Sequence, residues 1–474
     1  MTIATAVAAG RGDVRRAVDA AANTFDSGRW SRLTPGDRAN CLLKVAYLLE
    51  RDAERFVKAE TENTGKSIKQ VRNYDMPYTI DNIRFIAGAS RVLEGKAMGE
   101  YVPEGTSGIR REPMGVVGVI TPWNYPLMMV VWRAFPALAA GNTVVVKPAS
   151  YTPVTTNLLA ELIKEAGLPD GAFNVVTGSG DDVGGELCTN SRVDAIAFTG
   201  SEEVGKTISR LSSETLKKVA LELGGKAPFI VFNDANLTAA VNGAVVGGLV
   251  NNGQDCANST RYYVHESIIN EFTNRLIDEL KTVRMGNPFD IETDMGPLIS
   301  RSQRERVERY VDRGVKDGGR LVYGGKRPQD ESLSGGFYFE PAVIRTENEN
   351  SPIVKEEIFG PVFTVMPFAD YDDVIARSND VIYGLGSSVW TKDITVAMNA
   401  TRDLRFGTVW VNEHVPVPSE MPWAGYKRSG HGASLSAYSI EEFTYLKHVY
   451  FDISGKETKD WYYQVHGRPP TARQ

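Results

Sequence analysis

At 474 residues, with 42% hydrophobic and 24% charged residues, the chain is too long for one small core and has the make-up of a multi-domain globular protein. A net charge of −6 gives no basic footprint for nucleic acid, and the longest apolar stretch, 127–146, is broken by Arg133, Pro136 and Gly141, so no membrane partner is expected. Three cysteines (Cys41, Cys188 and Cys256) without Cys-x-x-Cys spacing, and five scattered histidines, exclude a disulfide framework and an obvious metal site; a reducing, cytoplasmic setting is expected.

In chain order, segments 14–25, 35–51 and 53–64 carry apolar residues at three-to-four spacing and predict helices, the second opening on Thr34-Pro35. Around 95–113 the period changes, and alternation at 100–102 and 107–112 across a Pro/Gly turn predicts a protruding hairpin. From 114 to 222, short apolar runs at 116–120, 143–146, 173–176 and 195–198 alternate with amphipathic segments at 155–166 and 204–211. That rhythm predicts a parallel sheet with helical crossovers. A second α/β unit from 223 has expected strands near 228–232, 262–264, 362–367 and 408–411, with helices around 237–250, 266–282, 302–317 and 372–378. A final strand, 444–453, precedes a polar tail, 455–474, expected to be loose. The opening residues show no secretory apolar core, so the sequons at Asn236 and Asn258 read as accidental.

The chemistry gathers in turns that follow strands. Phe198-Thr199-Gly200-Ser201 ends a strand and opens a helix, where backbone N–H groups can meet a phosphate; Gly200 and Gly205 alone fit a ligand-free turn equally well. Lys147 ends a second strand and aims an ammonium at the same crevice, and Thr177-Gly178-Ser179-Gly180 is a third small-residue turn at a strand end. Asn124, held between Pro122-Trp123 and Tyr125-Pro126, can present its amide rigidly to an oxyanion, a donor whose loss typically costs about 3–4 kcal/mol of transition-state stabilisation. Cys256 has small and polar neighbours from Gly253 to Thr260, which suggests a reachable bend, and a thiolate is the best side-chain nucleophile. Glu222, just before Gly224-Gly225, is a candidate base. Taken singly, each residue has a plainer explanation: free cysteines are mostly buried and inert, as expected for Cys41 and Cys188, and turn asparagines often satisfy their own backbone.

Six motifs occur in order: Thr121-Pro122-Trp123-Asn124, Lys147-Pro148, Phe198-Thr199-Gly200-Ser201, Leu221-Glu222-Leu223-Gly224-Gly225-Lys226, Gly253-Gln254-Asp255-Cys256 and Glu356-Glu357-Ile358-Phe359-Gly360-Pro361. Over about residues 15–453 the chain thereby resembles the NAD(P)-dependent aldehyde dehydrogenase superfamily. Ser419-Glu420-Met421-Pro422, Tyr426-Lys427-Arg428-Ser429-Gly430 and Glu441-Glu442-Phe443-Thr444 resemble its aminobutyraldehyde and betaine-aldehyde branch. The resemblance implies an α/β fold of two α/β domains with parallel sheets: a Rossmann-like dinucleotide-binding domain (1–94 and 114–222) and a catalytic domain (223–442). It also implies a β oligomerisation arm (95–113 and 443–454), the tail 455–474, and a homodimer or homotetramer.

The resemblance further implies roles. Cys256 attacks a small-molecule aldehyde, Asn124 and the Cys256 backbone N–H hold the oxyanion, and Glu222 activates the hydrolytic water. Lys147, counted with the catalytic set, and Glu357 bind cofactor ribose, Phe359 packs near the nicotinamide ribose, and Trp123 lines the cofactor channel. Gly200 and Ser201 meet the pyrophosphate, Gly224 admits the nicotinamide, and Ile120, Thr121, Pro122, Gly180 and Leu223 complete the NAD or NADP site. Ser150 stands where NAD-selective members carry a glutamate, so NADP is expected to be tolerated. Asp75, Asp81 and Asp255 are expected to attract a cationic substrate tail and Trp132 and Trp423 to cover it, although acidic residues on a helix are equally explained by solvation. A CoA-acylating semialdehyde dehydrogenase, disfavoured by Glu222, a broad-specificity aliphatic or hydroxy-aldehyde enzyme, and a non-catalytic binding protein are the alternatives.

Overall fold

The computed structural model describes residues 3–467; residues 1–2 and the last part of the tail, 468–474, lie outside them. Val116–Ile120, Thr143–Lys147 and Ala195–Thr199 are buried at every position, as strands covered by helices on both faces must be. They belong to a six-stranded sheet whose spatial order is Phe173–Val175, Thr143–Lys147, Val116–Ile120, Ala195–Thr199, Lys218–Glu222 and Gly430–His431. All neighbours are parallel except the last pair. The chain leaves Val116–Ile120 towards one edge through Thr143–Lys147 and towards the other through Ala195–Thr199, so the strand order reverses there. Ligands of open α/β sheets bind outside the carboxyl ends at such a point.

The second sheet has seven strands in the order Arg320–Tyr323, Ala342–Arg345, Val362–Phe368, Ser259–His265, Ala227–Val231, Gly386–Trp390 and Thr408–Val411. The first pair is antiparallel and the rest are parallel. Its central strand Ser259–His265 begins just after Cys256, and Ala227–Val231 begins just after the Leu223–Gly225 turn. The nucleophile candidate and the base candidate therefore both sit where one sheet hands over to the other. The two-residue strand Gly430–His431, contributed late in the chain, pairs Gly430 with Glu222, while Leu223 N–H donates to Ser429 O (2.9 Å) and Ser429 Oγ to Gly224 O (2.7 Å).

The hairpin Gly99–Val102 and Gly105–Pro113 protrudes as expected and is completed by Thr444–Asp452, paired along its whole length with Gly105–Pro113. Tyr445, Leu446 and Phe451 stay exposed on that strand, whose other edge has no neighbour among the described residues. Thr34 caps Pro35–Arg51 by accepting from Asp37 N–H, as its position before Pro35 predicts.

Several elements go beyond the sequence reading, among them the strands Arg320–Tyr323, Ala342–Arg345 and Gly386–Trp390 and the helix Ile394–Asp403. The one that reaches the site overlaps the interrupted apolar run 127–146: ahead of the expected strand, the helix Pro126–Ala140 is buried on every side and ended by Gly141 at φ +100. With no polar face there is no 3.6-residue alternation to detect. None of the described helices is long and apolar enough to cross a membrane.

Candidate active site

The turn that carries Cys256 is built from residues able to adopt left-handed backbone. Asn251, Asn252 and Gly253 have φ of +51, +58 and +73. A Cβ at residue 253 would meet the Gly360 carbonyl carbon at 2.4 Å, so glycine is required there. Asn258 Nδ2 donates to Gly253 O (2.8 Å) and Gly360 O (3.1 Å), and Asn251 Nδ2 donates to Asn124 O (2.8 Å) and Gln254 O (3.0 Å). These bonds set Cys256, partly exposed, against a cavity of ≈ 310 Å³ that Asn124 and Glu222 also line. Asn124 Nδ2 reaches Gln254 O at 3.1 Å, beside the nucleophile turn, and the Cys256 backbone N–H makes no hydrogen bond with the described residues.

Glu222 ends its strand buried, with Trp423 Nε1 at 3.5 Å from one carboxylate oxygen and Arg133 Nη2 at 3.9 Å from the other. Arg133 comes from the buried helix Pro126–Ala140 and is fixed by its Nε donating to Thr199 Oγ1 (2.8 Å). Burial raises the Glu222 carboxyl above the usual carboxylate range, an effect only partly offset by the Arg133 charge and by hydrogen bonds with Cys256, Trp423 and Thr199. Burial likewise pushes the Cys256 thiol well above its ordinary value, reinforced by the negative charge of Glu222 and Asp255. A protonated thiol thus rests against a carboxyl group able to take its proton.

On the side of the strand ends, Pro122, Trp123, Gly200, Ser201, Leu223, Gly224, Glu357 and Phe359 line the same cavity. Ser201 caps the helix Glu202–Ser213 through Val204 N–H. A Cβ at residue 224 would lie 2.5 Å from Glu357 Oε2, while Gly225 N–H donates to Glu357 Oε1 (2.9 Å). Phe359, itself at φ +64, meets the Trp123 ring edge-on at 5.3 Å. Burial pushes the Glu357 carboxyl up to about 7. Ile120, Thr121, Lys147 and Ser150 lie outside the cavity lining on strand ends and the loops that follow them, and Gly180 opens the π-helical turn Gly180–Gly184: Thr121 Oγ1 is buried without a partner among the described residues, Lys147 Nζ donates to Pro148 O, and Ser150 Oγ donates to Gly178 O. An apolar slot, a hydroxyl-accepting carboxylate, a capped helix start and an unpartnered hydroxyl together fit a dinucleotide. Gln303 and Arg306, three apart on the helix Arg301–Lys316, also line this side, donating to Phe359 O (2.7 Å) and Glu357 O (2.6 Å). Nothing in their local sequence distinguishes them from an ordinary polar helix face.

The opposite wall is aromatic: Tyr74, Tyr78, Tyr125, Trp132 and Trp423. Of the three aspartates expected there, only Asp255 lines it, accepting from Tyr125 OH (2.6 Å) and Ala257 N–H (2.6 Å). Asp75, in a π-helical turn, is buried away from the cavity against Lys66 Nζ (2.6 Å), which in turn lies over the Tyr125 ring. Asp81 accepts from Ser419 Oγ (2.5 Å), at the end of a chain in which Asn82 bonds both Ser419 and Trp132 Nε1. Neither lines the cavity. Sequence position on a helix does not reveal which face a carboxylate takes when a lysine or serine can satisfy it nearby.

The aldehyde dehydrogenase family profile matches residues 1–449. The betaine aldehyde dehydrogenase of Bacillus subtilis (strain 168) is 44% identical over 448 residues, covering 94% of this chain and 91% of the relative. That of Brucella ovis is 39% identical over 428 residues, 90% and 87% of the two chains. A crystal structure of Staphylococcus aureus betaine aldehyde dehydrogenase in complex with NAD+ superposes with a TM-score of 0.94 at 38% identity, covering 97% of this chain and 91% of that one.

Proposed function

We propose, on the premise that the chain belongs to the aldehyde dehydrogenase family, that Cys256 is the nucleophile, Asn124 and the Cys256 N–H the oxyanion donors, and Glu222 the general base. The enzyme oxidises an aldehyde to its carboxylic acid with NAD(P)+. The observation that carries the residue assignment is that Cys256, Asn124 and Glu222 meet around one cavity whose far side is lined by Trp123, Glu357 and Phe359. The Cys256 sulfur bonds to the aldehyde carbon as its proton passes to Glu222, and the resulting oxyanion is held by the Asn124 amide and the Cys256 N–H. The bound nicotinamide supplies the hydride acceptor, which converts the sulfur-linked carbon to a thioester. Glu222, once it has released the thiol proton to solvent, takes a proton from water, the new C–O bond forms, the C–S bond breaks to return the thiolate, and the acid leaves. Asn124→Ala is expected to lower kcat on the order of 10²- to 10³-fold, while the dissociation constant for NAD+, read by fluorescence titration, stays within about twofold because the amide's bond in the structure, to Gln254 O, lies on the nucleophile turn and not among the cofactor residues.

In the cofactor half, Gly200, Ser201, Lys147, Glu357 and Phe359, with Gln303 and Arg306, are assigned to the dinucleotide, the unit 1–94 and 114–222 being its domain and 223–442, which lends the sixth strand Gly430–His431, the catalytic one. Since ribose hydroxyls donate best to an ionised carboxylate, and Glu357 is pushed up to about 7, cofactor binding releases a proton below that pH. The dissociation constant for NAD+ is therefore expected to rise as pH falls from 8 to 6, approaching about tenfold per pH unit in the limit. In Glu357→Gln it should be weak and pH-independent. Ser150, exposed and without negative charge, leaves room for a 2′-phosphate, so NADP+ is accepted in this reading.

Betaine aldehyde or an aminoaldehyde such as 4-aminobutyraldehyde is the proposed substrate. The aromatic wall and the carboxylate of Asp255 support it, since cations bind over aromatic faces and beside unpaired charge. A panel of 4-aminobutyraldehyde, betaine aldehyde and butyraldehyde, each with NAD+ and NADP+, tests this by reduced-nicotinamide absorbance. Asp255→Asn should raise KM for the cationic aldehydes by about tenfold and leave butyraldehyde unchanged; an equal effect on all three removes Asp255 as the anchor. Adding CoA should not divert the product, because Glu222 provides for water. The exposed edge of Thr444–Asp452 supports a homodimer or homotetramer, and three unpaired cysteines support a reducing, cytoplasmic setting.

A further inference from the structure

His414 is a fully enclosed, titratable side chain that no step above uses, and it reaches the nucleophile turn from the second sheet. Its Nε2 lies 2.9 Å from Ala257 O, the carbonyl one residue after Cys256, and its Nδ1 lies 3.0 Å from Ser388 Oγ on the strand Gly386–Trp390. A carbonyl oxygen only accepts, so Nε2 carries the proton and Nδ1 accepts from the Ser388 hydroxyl. The ring stays neutral: burial pulls its pKa down to about 4. It also packs against Trp410 (4.7 Å between centroids), which lies 6.0 Å from Trp423, the side chain beside Glu222.

The consequence falls on one residue, through the two peptide groups that flank it. Ala257 is held at both ends, its N–H by Asp255 Oδ1 and its C=O by His414, and the Cys256 carbonyl is pressed against Gly225, where a Cβ would come within 2.3 Å. We propose that His414 is a positioning residue for the nucleophile turn: donating from a ring anchored on Ser388, it holds Ala257 by its carbonyl and, with Asp255 holding the Ala257 N–H, keeps the preceding Cys256 backbone and its N–H aimed at the oxyanion. This inference rests on the assignment of Cys256 as nucleophile. His414 is absent from the cavity lining and so acts through the backbone rather than on the aldehyde.

The test compares His414→Met, which keeps the bulk and loses the donor, with His414→Gln, which keeps an N–H near the position of Nε2. Ser388→Ala removes only the anchor. With saturating NAD+, His414→Met should lower kcat and the single-turnover rate of hydride formation by about tenfold or more, with the NAD+ dissociation constant within about twofold. His414→Gln should recover most of the rate and Ser388→Ala should fall between. A wild-type rate in His414→Met, a glutamine variant as slow as the methionine one, or a cofactor affinity that falls in step with kcat overturns the proposal. If His414→Met does not fold, a wild-type rate in Ser388→Ala overturns it and a reduced rate, again with unchanged cofactor affinity, supports it. Turnover surviving in Cys256→Ala would instead remove the nucleophile assignment itself, so the two failures are told apart.

Discussion

Cys256→Ala is expected to abolish aldehyde-dependent NAD(P)H formation, a loss on the order of 10⁴-fold or more. The size follows from the route: without the sulfur no tetrahedral adduct forms, so the oxyanion donors and the base have nothing to act upon. Folding should survive, because the change removes a single sulfur atom facing the cavity and the turn is held by Asn251, Asn258 and Gly253 rather than by the side chain. Circular dichroism and NAD+ titration establish that the variant is intact before its rate is read. Alkylation offers a parallel measurement. Cys188 is buried, whereas Cys256 opens on the cavity with Glu222 beside it as base, so inactivation by iodoacetamide should track labelling of Cys256, and labelling of the partly exposed Cys41 should leave activity intact. Full activity after stoichiometric labelling there would end the assignment.

Glu222→Gln is expected to separate the two halves of the reaction. Addition of sulfur to the aldehyde and hydride loss from the adduct can proceed on the small thiolate fraction, so mixing enzyme, NAD+ and aldehyde should give a burst of reduced nicotinamide approaching one equivalent per site. Steady-state turnover should then fall about 10²- to 10⁴-fold, because the amide cannot accept the proton of the hydrolytic water. Intact-protein mass spectrometry during the stall should find the acyl group on Cys256. The sign of the pH effect follows from burial. The Glu222 carboxyl is raised, the base is active only when ionised, and the acid limb of the wild-type kcat profile therefore lies at higher pH than an ordinary glutamate would give. The glutamine variant should lose that limb. No burst, with steady-state rate and first turnover slowed equally, would assign Glu222 to thiol activation alone.

Much of this arrangement was legible because turns after buried strands have a local signature. The runs 116–120, 143–146 and 195–198 are β-branched or apolar without alternation, and Asn124, Lys147 and Gly200 follow them directly. Cys256 and Glu222 were recognisable through their small neighbours, which allow the close approaches seen at Gly224, Gly225 and Gly253. Other features carried no such signature. Pro126–Ala140 lacks a polar face, so neither the helix nor its inward Arg133 could be read from periodicity. Gln303 and Arg306 reach the cavity only because of how Arg301–Lys316 docks, a tertiary property. Asp75 and Asp81 failed as cavity residues for the complementary reason: Lys66 and Ser419 arrive from elsewhere and turn them aside.

The clasp formed by Ser429 and Gly430 sets an order of events during synthesis. The strand bearing Glu222 leaves the ribosome about two hundred residues before the short strand that fastens it, and Ser429 bonds both Leu223 and Gly224. A nascent chain can lay down its parallel sheet while the base remains unsecured beside the thiol. Premature termination between Cys256 and the clasp would release a polypeptide that carries Asn124, Glu222 and Cys256 with no fixed alignment among them.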